Sequence, residues 1–177
     1  HEVPVGRDGD FSWDRMQKMY DSKLRNDIGN LLNRVLVLVG KDGGKINVPE
    51  ETEIIGDTWK KYAEKMNSFE LSEALQIVCS LVSDCNAYID KKKPWGLEIE
   101  DREKVLGVLS ECLRHIGLML LPFVPDTAEI ISIQLGVSYA DKLQHKGFSL
   151  EGINLWGSDK SWCAAGKPEI LFEDLEK

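Results

Sequence analysis

Apolar residues recur at spacings of three and four along most of this sequence, and this period constrains its fold more than any other feature. The clearest run extends from about residue 69 to residue 92 and forms one stripe: Leu71, Ala74, Leu75, Val78, Leu81, Val82, Cys85, Tyr88 and Ile89. Such a stripe is the buried face of an amphipathic α-helix. Asn67 and Glu70 have the spacing of a capping box at its start. Pro94 ends it, because the residue before a proline is forced out of the helical conformation.

The same period predicts four further helices. They cover about residues 10–39, 52–66, 100–121 and 125–135, and an interruption of the first near residues 21–22 is left open. After Gly136 the period is lost in a segment rich in Gly and Ser. We therefore predict an all-α fold, a helical bundle of about five helices over residues 11–136. A linker at residues 1–10 precedes it, and an irregular C-terminal tail at residues 137–177 packs on it.

The charge of the chain limits the partners it can have. Its 177 residues include 22 Lys and Arg against 30 Asp and Glu, a formal net charge of −8. A protein that grips the nucleic-acid backbone along a wide surface needs an excess of cations, so that class is excluded. The acidity is uneven, because residues 1–40 carry six positive and six negative side chains. A small site that reads a few unpaired bases is compatible with this distribution.

Neither a membrane partner nor secretion is indicated. The longest strongly apolar stretch, roughly residues 116–124, is shorter than the ~20 residues that span a bilayer. We expect no signal peptide, because the first residues do not form an apolar run. The cysteines are scattered without a C-x-x-C pair: Cys79, Cys85, Cys112 and Cys163. We expect no zinc site, buried structural roles for the first three cysteines, and a cytoplasmic location, or an organellar one in a eukaryote.

No active site is recognisable in the sequence. There is no nucleophile elbow, no phosphate-binding loop and no Cys and His pairing with a known local signature. His115 falls within the apolar period of the fourth predicted helix, and we interpret it as a structural residue. We therefore predict no catalytic residue, metal or cofactor in this chain.

Asn30 and Arg34 form the first candidate binding site. They are four residues apart, so on a helix their side chains are neighbours on one face. A guanidinium beside a carboxamide can read the edge of an unpaired base, because the first donates in a fork and the second both donates and accepts. The alternative is a solvated pair on a helix surface, and spacing alone favours that alternative.

A second candidate lies at the end of the longest helix, where Lys91, Lys92 and Lys93 precede Pro94 and Trp95. An aromatic ring on a turn stiffened by proline can stack on a base, and the lysines can bind phosphates next to it. Alternatively, the tryptophan packs on the bundle and the lysines interact with the helix dipole. The residues alone do not separate these two interpretations.

Four segments resemble the C-terminal anticodon-binding domain of methionyl-tRNA synthetases of the bacterial or organellar type. They are residues 6–12 (GRDGDFS), residues 24–34 (LRNDIGNLLNR), residues 86–90 with 93–95 (NAYID and KPW), and residues 122–129 with 134–136 (PFVPDTAE and QLG). The second is shared in part with related class I synthetases, and the Pro-Trp turn makes the set specific. The resemblance covers nearly the whole chain.

This resemblance implies the helical bundle of class I anticodon-binding domains and a role in reading the CAU anticodon of methionine tRNA. Asn30 and Arg34 would bond anticodon bases, chiefly the first, and Trp95 would stack on an unstacked base. Asn86, Lys91, Lys92, Lys93 and Pro94 would support them. The family charges tRNA with methionine using ATP, and the residues for that would lie in a catalytic domain upstream of His1. We thus expect an inactive fragment or isolated domain, a monomer that binds tRNA and its own catalytic domain, and no DNA.

Two positions depart from the family pattern, and two other functions remain open. Ser132 replaces a frequent tryptophan and Glu173-Asp174 replaces a frequent Pro-Arg; we expect both to lie away from the anticodon face. The chain is alternatively the equivalent domain of another class I synthetase, such as the cysteine enzyme. A third hypothesis is a protein-interaction bundle with an exposed apolar groove and no affinity for RNA.

Overall fold

The computed structural model describes residues 9–10, 12–50, 52, 54–139, 152–164 and 168–174. Its helices are α1 (Trp13–Met19), a π-helix (Tyr20–Gly29), α2 (Asn30–Lys41), α3 (Thr58–Asn67), α4 (Leu71–Lys92), α5 (Ile99–Leu120) and α6 (Pro125–Leu135), with a 3₁₀ turn at Pro94–Gly96. Since α1, the π-helix and α2 are continuous, there are five helical stretches among these residues. The predicted all-α bundle is confirmed, with helix ends within a few residues of those expected except at the start of α3.

Helix α5 forms the centre of the bundle. Every residue from Val105 to Leu120 is buried, because α4, α6 and α2 pack around it. Gly107 and Gly117 permit this close packing: a Cβ at Gly107 would lie 2.0 Å from the Asn47 carbonyl oxygen, and one at Gly117 would lie 2.4 Å from the Tyr139 hydroxyl. The apolar stripe of α4 is also buried along most of its length, as its period predicts.

The first helical stretch widens into a π-helix over its polar middle portion. Only Ile28 is buried within the ten residues from Tyr20 to Gly29, so apolar packing does not hold this part to the α-helical period. π-helical turns are rare and occur frequently at functional sites. The helix does not break near residues 21–22, where an interruption was left open, but continues through them as the π-helix.

Two short strands join the C-terminal region to the bundle. Strands β1 (Lys45–Asn47) and β2 (Ser161–Cys163) pair antiparallel, with Ile46 opposite Trp162. The loss of the apolar period after Gly136 predicts only irregular structure in the tail, because strands of three residues carry no readable period. The capping-box expectation is wrong: Asn67 is the last residue of α3, and Glu70 caps α4 without a side-chain hydrogen bond.

A buried charged cluster fastens residues 153–157 to α5. Arg114 donates two bonds to the carboxylate of Glu111, at 2.7 and 2.8 Å, and further bonds to the carbonyls of Ile153 and Leu155. The amide of Gly157 also donates to Glu111, at 2.8 Å. These hydrogen bonds pair the Arg114 guanidinium with the Glu111 carboxylate, so neither buried charge lacks a partner.

His115 completes this cluster as a structural residue, as expected. Its Nδ1 accepts a hydrogen bond from Trp59 Nε1 at 2.8 Å, so the neutral ring carries its proton on Nε2, 3.3 Å from Glu111 Oε1. Burial lowers the pKa of His115. Burial alone would raise the pKa of Glu111, but hydrogen bonds from Arg114 and His115 outweigh it and lower that pKa to about 2.

The following statements on membrane-spanning helices and metal sites apply only to the residues that the structure describes. No helix among them is long and apolar enough to cross a bilayer. Within the same ranges, no group of three or more His, Cys, Asp or Glu side chains is placed to hold a metal ion. Cys85 and Cys112 are buried, whereas Cys79 is only partly buried.

Candidate nucleic-acid interface

Arg34 and Trp95 meet on the surface of the bundle. Helix α4 ends at Lys92 and is capped by Lys93, whose left-handed backbone (φ 48°) turns the chain into the 3₁₀ turn that begins at the buried Pro94. That turn presents Trp95 with 53% of its surface exposed. The Arg34 guanidinium lies over the Trp95 ring, 5.7 Å from its centroid, which is a cation–π arrangement. The side chains of Arg34 and Trp95, which come from distant parts of the sequence, therefore share one exposed patch.

Asn30 extends this patch along α2. It is the first residue of the helix, is exposed, and lies one turn before Arg34. The two side chains project from the same helix face, as their spacing predicts. Asn30, Arg34 and Trp95 thus form one polar and aromatic surface, which we call the reading patch.

Asp90 is a member of this surface that the sequence analysis missed. Its Oδ1 accepts a hydrogen bond from Arg34 Nη2 at 2.5 Å, and the Asp90 side chain is 64% exposed. An ion pair at such exposure contributes about 0–1 kcal/mol, so an incoming hydrogen-bond partner can displace it. The only sequence signal was that Asp90 follows Asn86 by four residues on α4.

The Asn86 side chain forms hydrogen bonds with the protein backbone next to the reading patch. Its Nδ2 donates to the carbonyl of Asp27 at 3.3 Å and to that of Val82 at 3.1 Å. The first bond joins α4 to the π-helix just before Asn30. With both bonds directed to the backbone, Asn86 can hold the two helices in register beneath the reading patch.

Lys91 and Lys92 lie elsewhere. They line a groove with Tyr88, Glu50 and Trp156, and no member of the reading patch lines this groove. Lys92 Nζ stacks over the Tyr88 ring, 5.6 Å from its centroid. Lys93 alone of the three lysines sits directly before the Pro-Trp turn, as the cap of α4. Lys93 and Pro94 therefore lead directly into the turn that carries Trp95, whereas Lys91 and Lys92 line a groove to which no residue of the reading patch contributes.

Residues 169–174 border the face of the helix on which Asn30 lies. Glu173 and Asp174 line a pocket together with Arg25 and Asn30, and Asp174 forms an ion pair with Arg25. The expectation that Glu173-Asp174 lies away from this face is therefore wrong; the sequence carried no signal for a contact between residues so far apart. Ser132 is buried, as a packing residue, and its hydroxyl donates to the Val137 carbonyl at 2.5 Å.

The chain is similar in sequence to known proteins over nearly its whole length. A family model described as the anticodon-binding domain of tRNA ligase matches residues 54–165. Methionine–tRNA ligase 1 of Bacillus cereus is 39% identical over 190 residues, which cover 99% of this chain and 28% of the relative. The methionine–tRNA ligase of Thermotoga maritima is 32% identical over 189 residues, covering 99% of this chain and 29% of the relative.

Solved structures show the same fold. The methionyl-tRNA synthetase of Mycobacterium tuberculosis in its free state superposes with a TM-score of 0.83 at 21% sequence identity, covering 99% of this chain and 37% of that one. The chain spans less than a third of the length of each of the two relatives compared above.

Proposed function

The chain belongs to the family of anticodon-binding domains of tRNA ligases, and we propose that it reads the CAU anticodon of methionine tRNA as part of a methionine–tRNA ligase. The observation that carries this proposal is the stacking of Arg34 on Trp95, one turn from Asn30. The relatives that match 99% of the chain are named methionine–tRNA ligases, which supports the choice of amino acid.

The chemistry of the reading patch suits an unstacked pyrimidine or purine. Trp95 offers an exposed ring on which one base stacks, a contact worth about 1–3 kcal/mol. Arg34 has donors in a fixed fork, and Asn30 both donates and accepts, so together they distinguish the edge of cytosine from that of other bases. When the first anticodon base arrives, it replaces Asp90 as the partner of the Arg34 guanidinium. Asn86, Lys93 and Pro94 hold the two reading elements in place.

The catalytic steps belong to the rest of the parent ligase. Methionine and ATP bind in the portion of the enzyme that the resemblance places before this chain, and this chain contributes the anticodon end of the tRNA contact. The domain acts as a monomer. A small reading patch on a chain of net charge −8 gives weak binding on its own, because few phosphates are neutralised.

Binding of a CAU anticodon stem-loop to point variants tests the proposal. Trp95→Ala should weaken binding about 5-fold to 100-fold, because one base loses its stacking partner. Trp13→Ala, which removes an exposed tryptophan from α1, is the matched control and should bind as the unchanged protein does. Equal affinity of the Trp95→Ala and control variants, with helicity retained in circular dichroism, would contradict the proposed role of the reading patch.

The two alternatives are separated by the same assay. If the chain is the equivalent domain of another class I enzyme, such as the cysteine enzyme, a stem-loop with a different anticodon will bind more tightly than CAU. If the chain is a protein-interaction bundle, none of the stem-loops will bind at any concentration at which the domain stays monomeric.

A further inference from the structure

The groove beside the last turn of α4 has no part in reading the anticodon. Its volume is about 760 Å³, within the usual range of about 300–1,000 Å³ for small-ligand sites. Helix α4 contributes Tyr88, Lys91 and Lys92 to it, and the rest of its lining comes from α5, from Trp156 and from the segment before α3. We call this surface the lysine groove.

A hydrogen bond and ring stacking hold Trp156 in the wall of the lysine groove. Its Nε1 donates to the Pro49 carbonyl at 2.8 Å. Its ring lies parallel to that of His115, at an interplanar angle of 5° and with the centroids 5.9 Å apart. The next residue, Gly157, donates through its amide to the buried Glu111. This wall is therefore in place before any ligand binds, which lowers the entropic cost of binding.

The two lysines of the groove carry charges that no described carboxylate pairs with. Lys91 and Lys92 are exposed, and neither forms an ion pair or a hydrogen bond with any residue that the structure describes. By contrast, Lys23 and Lys104 each pair with an aspartate within four residues. The Lys92 amine is held over the Tyr88 ring, and burial raises the pKa of Tyr88, so the tyrosine hydroxyl stays neutral. Both ammonium groups are therefore available to an anion.

The charges beside the reading patch decide on which side an RNA backbone can pass. The pocket next to Asn30 is lined by three carboxylates: Glu169, Glu173 and Asp174. Its Arg25 is already paired with Asp174. In the lysine groove, the described lining residues include two lysines against one carboxylate, that of Glu50. A phosphate is therefore repelled on the first side and attracted on the second.

The lysine groove is close enough to the reading patch for one RNA strand to contact both. Lys92 and Trp95 are three residues apart, so their Cα atoms are separated by at most about 11 Å. A base stacked on Trp95 is joined through its ribose to a phosphate on either side, where the neighbouring nucleotides begin. A phosphate outside the triplet can thus reach the lysines while an anticodon base stays on Trp95.

We propose that Lys91 and Lys92 bind a backbone phosphate of the anticodon loop outside the CAU triplet, with the attached ribose against Tyr88 and Trp156. This inference rests on the proposed function and adds a contact that reads no base. Because every RNA sequence carries the same phosphate, the contact fixes the position of the loop and leaves discrimination among bases to the reading patch. It also gives binding a dependence on salt that the reading patch lacks.

The salt dependence of stem-loop binding tests the lysine groove. The proteins are the unchanged chain, Lys91→Ala, Lys92→Ala, Lys92→Arg and the control Lys18→Ala, which removes an exposed lysine from α1. The RNAs are a CAU stem-loop and stem-loops in which one phosphate on either side of the triplet is replaced by a neutral methylphosphonate. Fluorescence anisotropy gives the dissociation constant at several salt concentrations, and circular dichroism verifies that every variant is folded.

The lysine groove predicts a specific pattern of changes. Lys91→Ala and Lys92→Ala each weaken binding about 2-fold to 5-fold, the size of an exposed ion pair. Each also reduces the slope of log affinity against log salt by about 0.7, the contribution of one phosphate in a single strand. Lys92→Arg keeps the slope because it keeps the charge, and Lys18→Ala keeps both the slope and the affinity.

The methylphosphonate stem-loops identify the phosphate. One of them should bind the unchanged chain more weakly than the intact stem-loop does. That stem-loop should also bind Lys91→Ala and Lys92→Ala as tightly as it binds the unchanged chain, because the charge that these lysines contact is gone.

Each of four results would overturn the inference. If Lys91→Ala and Lys92→Ala keep the affinity and slope of the unchanged chain while Trp95→Ala loses affinity, the groove does not bind RNA and the proposed function stands. If Lys18→Ala lowers the slope as much as they do, the effect is one of overall charge. If the two lysine variants lose affinity equally for every methylphosphonate stem-loop, the lysines bind no phosphate beside the triplet. If the unchanged chain binds no stem-loop, the proposed function and this inference fail together.

Discussion

Two arginine–carboxylate pairs of this molecule have the same chemistry and opposite surroundings. Arg34 and Asp90 meet on the surface, where 64% of the aspartate side chain is exposed. Arg114 and Glu111 meet within the bundle, where at most 1% of either side chain is exposed. The first arginine has one protein hydrogen bond among the described residues and an aromatic ring beneath it, whereas the second donates to both oxygens of Glu111 and to two backbone carbonyls.

This difference separates a pair that can exchange partners from one that holds the fold. Water screens the exposed pair, so the free energy it contributes is small and another ligand can replace the aspartate. The buried pair has no solvent to replace either partner, so loss of one leaves the other charged and unsatisfied. The exposed pair is therefore compatible with the proposed binding role of Arg34, whereas Arg114 attaches residues 153–157 to α5.

The largest expected effect is a loss of unfolding free energy when the buried pair of Arg114 and Glu111 is broken. Arg114→Ala should lower the free energy of unfolding by about 3–5 kcal/mol, because Glu111 is left buried without its partner. Arg34→Ala should change it by less than about 1 kcal/mol. Urea unfolding followed by circular dichroism measures both. Equal losses in the two variants would show that burial does not distinguish these pairs.

Acidification should weaken the same buried cluster. The folded-state pKa values of His115 and Glu111 are both lowered, so their contribution to stability is present above the unfolded values of 6.5 and 4.5 and is lost as pH falls. With the pKa of Glu111 at about 2, its protonation removes roughly 3 kcal/mol. Unfolding free energy measured from pH 7 to pH 2 should decline first below pH 6.5 and more steeply below pH 4.5.

His115→Gln serves as the control for this pH dependence. It removes the decline that begins at pH 6.5 and keeps the steeper one that Glu111 causes. If both declines of the unfolding free energy persist in this variant, protonation of His115 does not cause the first one.

A substitution in the exposed pair of Arg34 and Asp90 should change RNA binding and leave the free energy of unfolding nearly unchanged. Arg34→Lys retains the charge but loses the planar fork that both stacks on Trp95 and bonds a base edge, so binding of a CAU stem-loop should weaken about tenfold. The unfolding free energy should remain within about 0.5 kcal/mol of its original value. Full affinity in the lysine variant would indicate that Arg34 contributes only its charge.

The smallest effect should follow Asp90→Asn. This change keeps the shape of the side chain and removes its charge, so the exposed pair loses at most about 1 kcal/mol of stability. The binding of RNA should rise slightly, because a negative charge leaves the reading patch and the Arg34 guanidinium no longer has to be released. A strong loss of binding would mean that Asp90 is needed to hold Arg34 over Trp95.

Sequence reasoning succeeded where a signal is local. The apolar period located the helices, since burial on one helical face recurs every three or four residues. The spacing of Asn30 and Arg34 placed them on one face, and the Pro-Trp turn marked where α4 ends. Resemblance to a family was required to join these two segments, because nothing in either one indicates that the other lies beside it.

Contacts between distant segments could not be predicted. Asp90 lies 56 residues from Arg34, and the strand pairing joins Lys45 to Cys163. No periodic pattern carries such pairings, since they depend on how the helices pack. The difference between Lys93 and the two lysines before it has a local cause: Lys91 and Lys92 are the last residues of α4, whereas Lys93 has a left-handed backbone and lies outside the helix.

Competition among anticodon stem-loops for the unchanged chain tests the central claim most directly. We predict that CAU binds more tightly than loops altered at any one of its three bases, with the largest loss at the first base, and that its affinity falls only shallowly between two salt concentrations. Equal binding of all the loops with a steep dependence on salt, or a preference for another anticodon, would contradict the claim that Asn30, Arg34 and Trp95 read CAU.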